Sequence, residues 1–329
     1  MTAAVGTDLN IARHHLEQFG LVAIPTETVY GLAANGLEPL AVTKIFEAKN
    51  RPHFDPLILH IGHLGQLQSL VTAIPPKAQK LMDAFWPGPL TLILPKSDLV
   101  PDLVTSGNQG VGIRMPNHSL TLELLKSLSF PLAAPSANPF GYVSPTTAKH
   151  VVDQLGAKID YVIDGGPCKI GLESSIVSFV ENTPKILRLG GLTQEQIEAV
   201  IGPVALQISN NSNPLAPGQL DQHYSPKCSL YPMEEIGKNS ISSKAPTLVF
   251  FSPKTEKSFE DQHPEIMGKF DRIYFSPSHK ISEAASRLFS ILRDLDQENQ
   301  SIAFIEMAPE NGLGIAINDR LQRAMKQCP

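Results

Sequence analysis

Two cations stand one residue apart in "EAKNRPHFDPL": Lys49 and Arg51, at the end of a helical stretch and just before a proline. Cations there can simply satisfy a helix dipole. A planar Arg fork beside a Lys point charge, fixed by a proline and a turn, also makes a phosphate clamp. Upstream, "IPTETVYGLAAN" ends a strand at Pro25 and then sets out Thr26, Glu27, Thr28, Tyr30 and Gly31. Hydroxyls at the carboxyl end of a strand are placed to bind a small polar ligand in the crevice of an open α/β sheet, although the same pattern also caps helices. "GVGIRMP" puts Arg114 at a strand end, where a guanidinium can take a carboxylate in bidentate fashion. "APSANPFGYVSPT" presents Ser136, Asn138 and Ser144 on a Gly/Pro-shaped loop leading into a helix N-terminus, which suits phosphate oxygens and a metal-bound water. "DGGPCKIGLESSIV" repeats the theme with a Gly-rich turn and the hydroxyls of Ser174 and Ser175. The chain has no Walker loop, no dinucleotide fingerprint and no Ser-His-Asp pattern. Cations and hydroxyls suit positioning and charge stabilisation of a phosphoryl reaction rather than covalent catalysis.

The elements that must hold these residues read as an α/β chain. Residues 8–19 place Leu9, Ala12, Leu16 and Phe19 at helical spacing and stop at Gly20, a natural cap. Residues 39–49 open with a helix-favouring proline and turn Leu40, Ile45, Phe46 and Ala48 toward a core. Short apolar strands are predicted at "LVAIPT", "LILHI", "LTLILP", "VGIRM", "FPLAAP", "YVID", "SSIVSFV" and "KILRL", with helices at 75–85, 118–128, 145–155 and 193–201 between them. That gives a mixed sheet covered by helices. The stretch 205–228, rich in Asn, Ser, Pro and Gly, reads as a linker. Beyond it the strands "TLVFF", "RIYFS" and "SIAFIE" alternate with the helices "ISEAASRLFSILRDL" and "GIAINDRLQRAMKQ", the pattern of a small parallel, Rossmann-like domain.

The bulk numbers agree. A chain of 329 residues is about right for two domains, and 42% hydrophobic with 18% charged residues is an ordinary globular composition. A net charge of −5 offers no global basic field for a polyanion such as tRNA. Cys168, Cys228 and Cys328 are odd in number and far apart, which argues against a disulfide framework and a Cys-x-x-Cys metal site, and a reducing cytoplasm fits best. The first 20 residues lack the apolar core of a signal peptide and no 18-residue apolar run occurs, so neither export nor a membrane span is expected. "LILHIGHL" spells the ATP-binding letters His60-Ile61-Gly62-His63 of one class of aminoacyl-tRNA synthetases. Those histidines belong at a helix start after the first strand. Here His60 lies inside an apolar strand, and "HKISEA" is a poor imitation of the partner lysine loop. The letters carry a different meaning.

Taken in order, "PTETVYGL", "KNR" before "DPLILHI", "GIRMP", "APSANPFGYVSPT", "GLESSIV", "ILRLG" and "HYSP" resemble the threonylcarbamoyl-AMP synthase family with the YrdC-type fold. The likeness runs through residues 8–205, and the remainder looks like the long form with an extra C-terminal domain. The resemblance implies an α/β protein with a twisted mixed sheet and helices of YrdC type over residues 1–204, a lid at 205–229 and a Rossmann-like parallel-sheet domain at 230–329. It implies that L-threonine, bicarbonate or CO2 and ATP give threonylcarbamoyl-AMP and pyrophosphate. A downstream threonylcarbamoyl-transferase protein then moves the group onto tRNA beside the anticodon, so tRNA is an indirect partner with at most weak direct binding. Carried over by position, Thr28, His60, Arg114, Ala134 and Ser174 fall where the family holds threonine. Lys49, Arg51, Asp55, Gly110, Ser136, Asn138, Ser144, Arg188 and Tyr224 fall at its ATP positions, with Lys49 and Arg51 neutralising the phosphates and Tyr224 closing over the nucleotide. No acidic cluster marks metal ligands, so Mg²⁺ is expected to arrive with ATP.

Two positions depart from the family pattern. Asp55 replaces the usual Asn and adds a negative charge near the expected triphosphate; Ser175 replaces a threonine but keeps a hydroxyl. His14, His15, His118 and His150 lack partners at metal spacing and are expected at the surface. Gly312-x-Gly314 falls short of a dinucleotide fingerprint, while Asp319 and Arg320 are expected to pack or dock the second domain. Two alternatives remain open from sequence: a carbamoyl-adenylate-handling YrdC-type enzyme, disfavoured by the lack of Cys pairs, and an RNA-binding module using Lys49, Arg51, Lys169 and Arg188.

Overall fold

The computed structural model describes residues 2–181, 183–208, 214–219, 223–236, 246–264, 270–298 and 300–325. Two compact units make up the chain. The first holds Met1–Phe140, Ser144–Lys169 and Glu173–Asp221; the second holds Gln222–Pro329 with the short segments Gly141–Val143 and Ile170–Leu172. Cys328 and the last two residues of the expected final helix lie outside the described residues, as do 209–213 and 220–222 of the expected linker.

The first unit opens with β1 (Ala4–Gly6), α1 (Leu9–Glu17), β2 (Val22–Ile24) and β3 (Gly31–Asn35), then α2 (Pro39–Lys49) and β4 (Ile58–His60). Next come α3 (Leu67–Leu70), α4 (Pro76–Phe85), β5 (Leu90–Pro95), the single turn α5 (Asp102–Thr105) and β6 (Gly110–Arg114). α6 (Ser119–Ser127), β7 (Leu132–Ala133), α7 (Ala148–Leu155), β8 (Tyr161–Ile163), β9 (Ser175–Ser178), β10 (Lys185–Arg188), α8 (Gln194–Ile201) and β11 (Ala205–Leu206) complete it. The mixed sheet orders eleven strands as β1-β8-β2-β3-β7-β4-β6-β5-β9-β10-β11. β4 lies in its middle, between β7 and β6, which is why a three-residue apolar strand suffices there.

Local chemistry sets the helix ends. Asp8 caps α1 by accepting from the Asn10 N–H, and the left-handed residue that ends it is Phe19 (φ 60°), not Gly20. Glu38 caps α2, Pro39 opens it and left-handed Asn50 (φ 52°) stops it. On α2 the buried face is Ala41, Val42, Ile45, Phe46, Ala48 and Lys49, so Leu40 points off the face and is 68% exposed, against expectation. One core cluster joins Leu16, Ile24, Leu124, Leu125, Leu132 and Ile163. Another joins Ile58, Ile93, Ile176 and Leu187 of the sheet to Ala216, with Leu215 packed against it. The stretch read as a linker is thus partly core. Ala205–Leu206 adds a strand beside β10. Asn108 donates to the Pro214 carbonyl, and buried Gln219 accepts from the Leu215 and Ala216 N–H groups.

The second unit contains β12 (Ser229–Pro232), β13 (Thr247–Phe250), α9 (Pro253–Gln262), β14 (Asp271–Tyr274), α10 (Ile281–Gln297), β15 (Ile302–Ile305) and α11 (Leu313–Met325). Its sheet is parallel throughout, in the order β12-β15-β13-β14. β12 and α9 extend the expected alternation. α10 buries Ala284, Ala285, Leu288, Phe289, Ile291, Leu292 and Leu295 along one stripe.

Candidate functional site

Strand register assembles the first half of the site. β4 and β6 run parallel with His60 opposite Arg114, and antiparallel β5 places Thr91 opposite Arg114 on the other side. Thr91 Oγ1 shares a 2.7 Å hydrogen bond with Ser174 Oγ. Arg188 donates from Nε to the Ser174 carbonyl and from Nη2 to its hydroxyl, both at 3.0 Å. His60, Arg114, Thr91, Ser174 and Arg188 therefore follow one another across neighbouring strands, all buried. Ala134, just past β7, donates its N–H to the Ile58 carbonyl beside this row. Arg114 is held twice: Nη2 pairs with Glu27 Oε1 at 2.7 Å, and Nε donates to the Gly88 carbonyl at 3.3 Å. The other Glu27 oxygen accepts the Asn117 N–H at 3.0 Å. Thr28 follows Glu27, fully buried, with its hydroxyl 2.8 Å from that of Thr26.

The second half is a cluster of buried cations. Lys49 Nζ donates to the Ser136 carbonyl at 2.5 Å and to the Asn138 carbonyl, so the helix end and the Ser-x-Asn loop meet through one ammonium. Arg51 Nη2 pairs with Asp55 Oδ2 at 2.9 Å and donates to the Pro56 carbonyl at 2.8 Å. Asp55 is thus the counter-charge of Arg51. Ser144 donates to Glu173 Oε1 at 2.7 Å. Burial, then the neighbouring Arg51 charge, holds the Lys49 ammonium well below its usual range. Burial pushes the Asp55 carboxyl up, while Arg51, Lys49 and Arg188 pull it down. Three basic side chains thus bear on one carboxylate, and a bound polyanion would favour their charged forms.

Burial, followed by the Arg114 charge, drives the His60 imidazole down to about 3 from 6.5, so the ring is neutral at pH 7. The unfolded chain takes up this proton between pH 6.5 and about 3 while the folded chain does not, so stability is lost as pH falls through that window. His60→Gln is expected to shrink the difference between urea midpoints measured at about pH 7 and about pH 5; an unchanged difference would show that His60 titrates normally.

Gly110 opens β6, four residues before Arg114, where a Cβ would stand 2.5 Å from Val180 and 2.6 Å from Ile93. Tyr224 belongs to the second unit, 1% exposed, stacked on Phe289 at 5.4 Å with the Arg320 guanidinium over its ring. His118 and His150 are half-buried rather than superficial: His118 is packed against Gly165, and His150 is bonded to Thr146. Sequence reasoning gave no role to Glu27, Thr91 or Glu173. Glu27 was visible within "PTETVY", but only folding shows which cation it holds. Cys168 and Cys228 are free thiols, and burial raises both to about 12. Among the described residues no three His, Cys, Asp or Glu side chains gather as metal ligands, and no helix is long and apolar enough to cross a membrane.

A family model described as "Telomere recombination" matches residues 14–190, and one described as "Threonylcarbamoyl-AMP synthase, C-terminal domain" matches 192–325. The threonylcarbamoyl-AMP synthase of Pyrococcus abyssi is 39% identical, over 96% of this chain and 93% of its own. The protein of the same name from Bacillus subtilis is 40% identical, over 94% and 90%. The crystal structure of P. abyssi Sua5 complexed with L-threonine superposes with a TM-score of 0.85 at 36% identity, covering 99% of this chain and 97% of that one.

Proposed function

From the premise that this chain belongs to the threonylcarbamoyl-AMP synthase family, we propose that it converts L-threonine, bicarbonate or CO2 and ATP into threonylcarbamoyl-AMP and pyrophosphate. The threonine amine adds to the carbon of CO2 and loses a proton, giving an N-carbamate. A carbamate oxygen then attacks the α-phosphorus of ATP, and the bond to the departing pyrophosphate breaks. Arg114 takes the threonine carboxylate, with Thr28, His60, Ala134 and Ser174 around the amino acid. Neutral His60 adds no charge there. Lys49, Arg51 and Arg188 offset the charge of the triphosphate, and Ser136, Asn138 and Ser144 hydrogen-bond the nucleotide. Mg²⁺ enters on ATP as part of that substrate. The observation that carries this reading is the burial of Lys49, Arg51 and Arg188 with a single carboxylate, Asp55, paired to Arg51 at 2.9 Å, beside a row in which Arg114 stands next to buried His60.

Residues 1–204 form the catalytic domain in this reading, 205–229 the lid and 230–329 the Rossmann-like domain. The Arg188 donation to the Pro217 carbonyl at 3.2 Å supports a lid that answers to the nucleotide side. Gly110 and Tyr224 keep ATP roles on the resemblance alone. The product passes to a protein that transfers the threonylcarbamoyl group to tRNA, and reduced, buried Cys168 and Cys228 support a cytoplasmic setting. The test is pyrophosphate release with ATP, Mg²⁺ and bicarbonate, with and without L-threonine, and with serine as control. Release should require threonine and bicarbonate together; release indifferent to threonine would sink the assignment. In the same assay, Tyr224→Ala should raise the KM for ATP and not that for threonine if the lid reading holds.

A further inference from the structure

The sheet of the second unit contains a topological switch point. The chain passes from β12 over β15 to β13, continues in the same direction to β14, and then turns back across β13 to β15. Right-handed crossovers place successive connections on one face while the chain advances and on the other once it reverses. α9, which follows β13, and α10, which precedes β15, thus lie on opposite faces, and α11 packs with α10. The carboxyl ends of β13 and β15 therefore border the crevice where open α/β sheets bind ligands.

A cavity of about 440 Å³ lies there, within the size range of small-molecule sites. Its walls include Phe250 at the end of β13, Ile236 beyond β12 and Phe259 on α9. The half-buried Phe259 ring stands 5.6 Å from Phe250, edge-on, and 4.7 Å from His263. Its charged lining is acidic, Glu234 and Glu306, with no Lys or Arg among the described lining residues.

Glu306, one residue past β15, defines the chemistry. Its Oε2 accepts the Phe251 N–H at 2.6 Å and the Thr255 hydroxyl at 2.7 Å, at the N-terminus of α9. Dinucleotide-binding folds put a ligand phosphate at such a helix start. Here a carboxylate of the chain stands in that place and would repel one. Its Oε1 has no hydrogen-bond partner among the described residues, and Glu306 lines the cavity together with Phe250 and Phe259, so the site offers an acceptor beside aromatic rings. A flat ring with N–H donors satisfies both features.

We propose that this cavity binds an unphosphorylated purine nucleoside, its base against Phe259 and an N–H of its edge on Glu306 Oε1. The site is separate from the proposed reaction and does not depend on it. With the nucleotide site of the first unit filled by a non-hydrolysable ATP analogue, calorimetric titration of the full chain with adenosine should reveal one further site, and AMP should bind it about tenfold more weakly or worse. Phe259→Ala should weaken adenosine by about tenfold or more, the scale of one base-aromatic stack, while leaving pyrophosphate release unchanged. Glu234 is exposed, so Glu234→Lys tests the charge argument without burdening the fold; it should narrow the preference for adenosine over AMP. No binding of adenosine at about 1 mM, AMP binding as well as adenosine, or an affinity indifferent to both substitutions would overturn the proposal.

Discussion

Arg51→Ala is expected to remove threonine-dependent pyrophosphate release, by a factor of about 10² to 10³ or more at saturating substrates, the usual cost of deleting one charge-stabilising donor. The same change strips the buried Asp55 carboxylate of its 2.9 Å partner. Breaking one side of a buried pair costs about 3–5 kcal/mol, a large share of the stability of an ordinary domain. The single variant therefore conflates two losses. Replacing Asp55 by Asn as well removes the orphaned charge and keeps a side chain of the same shape, so Arg51→Ala with Asp55→Asn should recover much of the unfolding midpoint and none of the turnover. Near-normal turnover in the double variant would take Arg51 out of the reaction. Asp55→Asn alone leaves buried Arg51 without its counter-charge and should lower the unfolding midpoint, with saturating ATP restoring much of it because the triphosphate supplies the lost negative charge.

The strands carrying the site were legible because each is a short apolar run bounded by Pro or Gly. "LTLILP" was read over the residues that form β5, and "LILHI" contains β4, placing His60 in a buried strand rather than at a helix start. β3 was missed because Gly31-Leu32-Ala33-Ala34-Asn35 has no β-branched residue; pairing to β2 on one side and β7 on the other makes it a strand. α9 was missed because "PKTEKSFEDQ" offers no apolar stripe, and its start is fixed by the Ser252–Thr255 capping box. The linker reading gave no place to Leu215 and Ala216 because two apolar residues among Asn, Pro and Gly show no period, yet they complete a core whose other members lie 28 to 158 residues away. The site had a similar gap. Its cations and hydroxyls stood out as motifs and Asp55 as a departure from the family pattern, whereas the hold of Glu27 on Arg114 did not, since the two are brought together only by the order of strands in the sheet.

That hidden carboxylate makes the sharpest prediction about threonine. Glu27 and the Gly88 carbonyl both engage the Nε–Nη2 side of Arg114, leaving its Nη1 end without a partner among the described residues. Glu27 therefore orients the fork and does not occupy the edge a substrate carboxylate needs. Glu27→Gln keeps the shape but loses the charge and sets an amide against the Asn117 N–H, and a hydrogen bond to a charged group is worth about 1.5–3 kcal/mol. The KM for threonine should rise about 10- to 100-fold with kcat and the KM for ATP little changed. Removing a negative charge beside Arg114 also favours an incoming carboxylate, so a lowered KM would mean that electrostatics outweighs orientation and that Glu27 acts as a resident competitor. A double-mutant cycle separates these from a failure of the Arg114 assignment itself. If Glu27 works through Arg114, its substitution adds nothing in an Arg114→Ala background, whereas an equal rise there would place Glu27 elsewhere in the reaction. If Arg114→Ala alone leaves the KM for threonine untouched, the carboxylate of the substrate is held by some other group, and the row His60-Arg114-Thr91-Ser174 is a piece of sheet architecture.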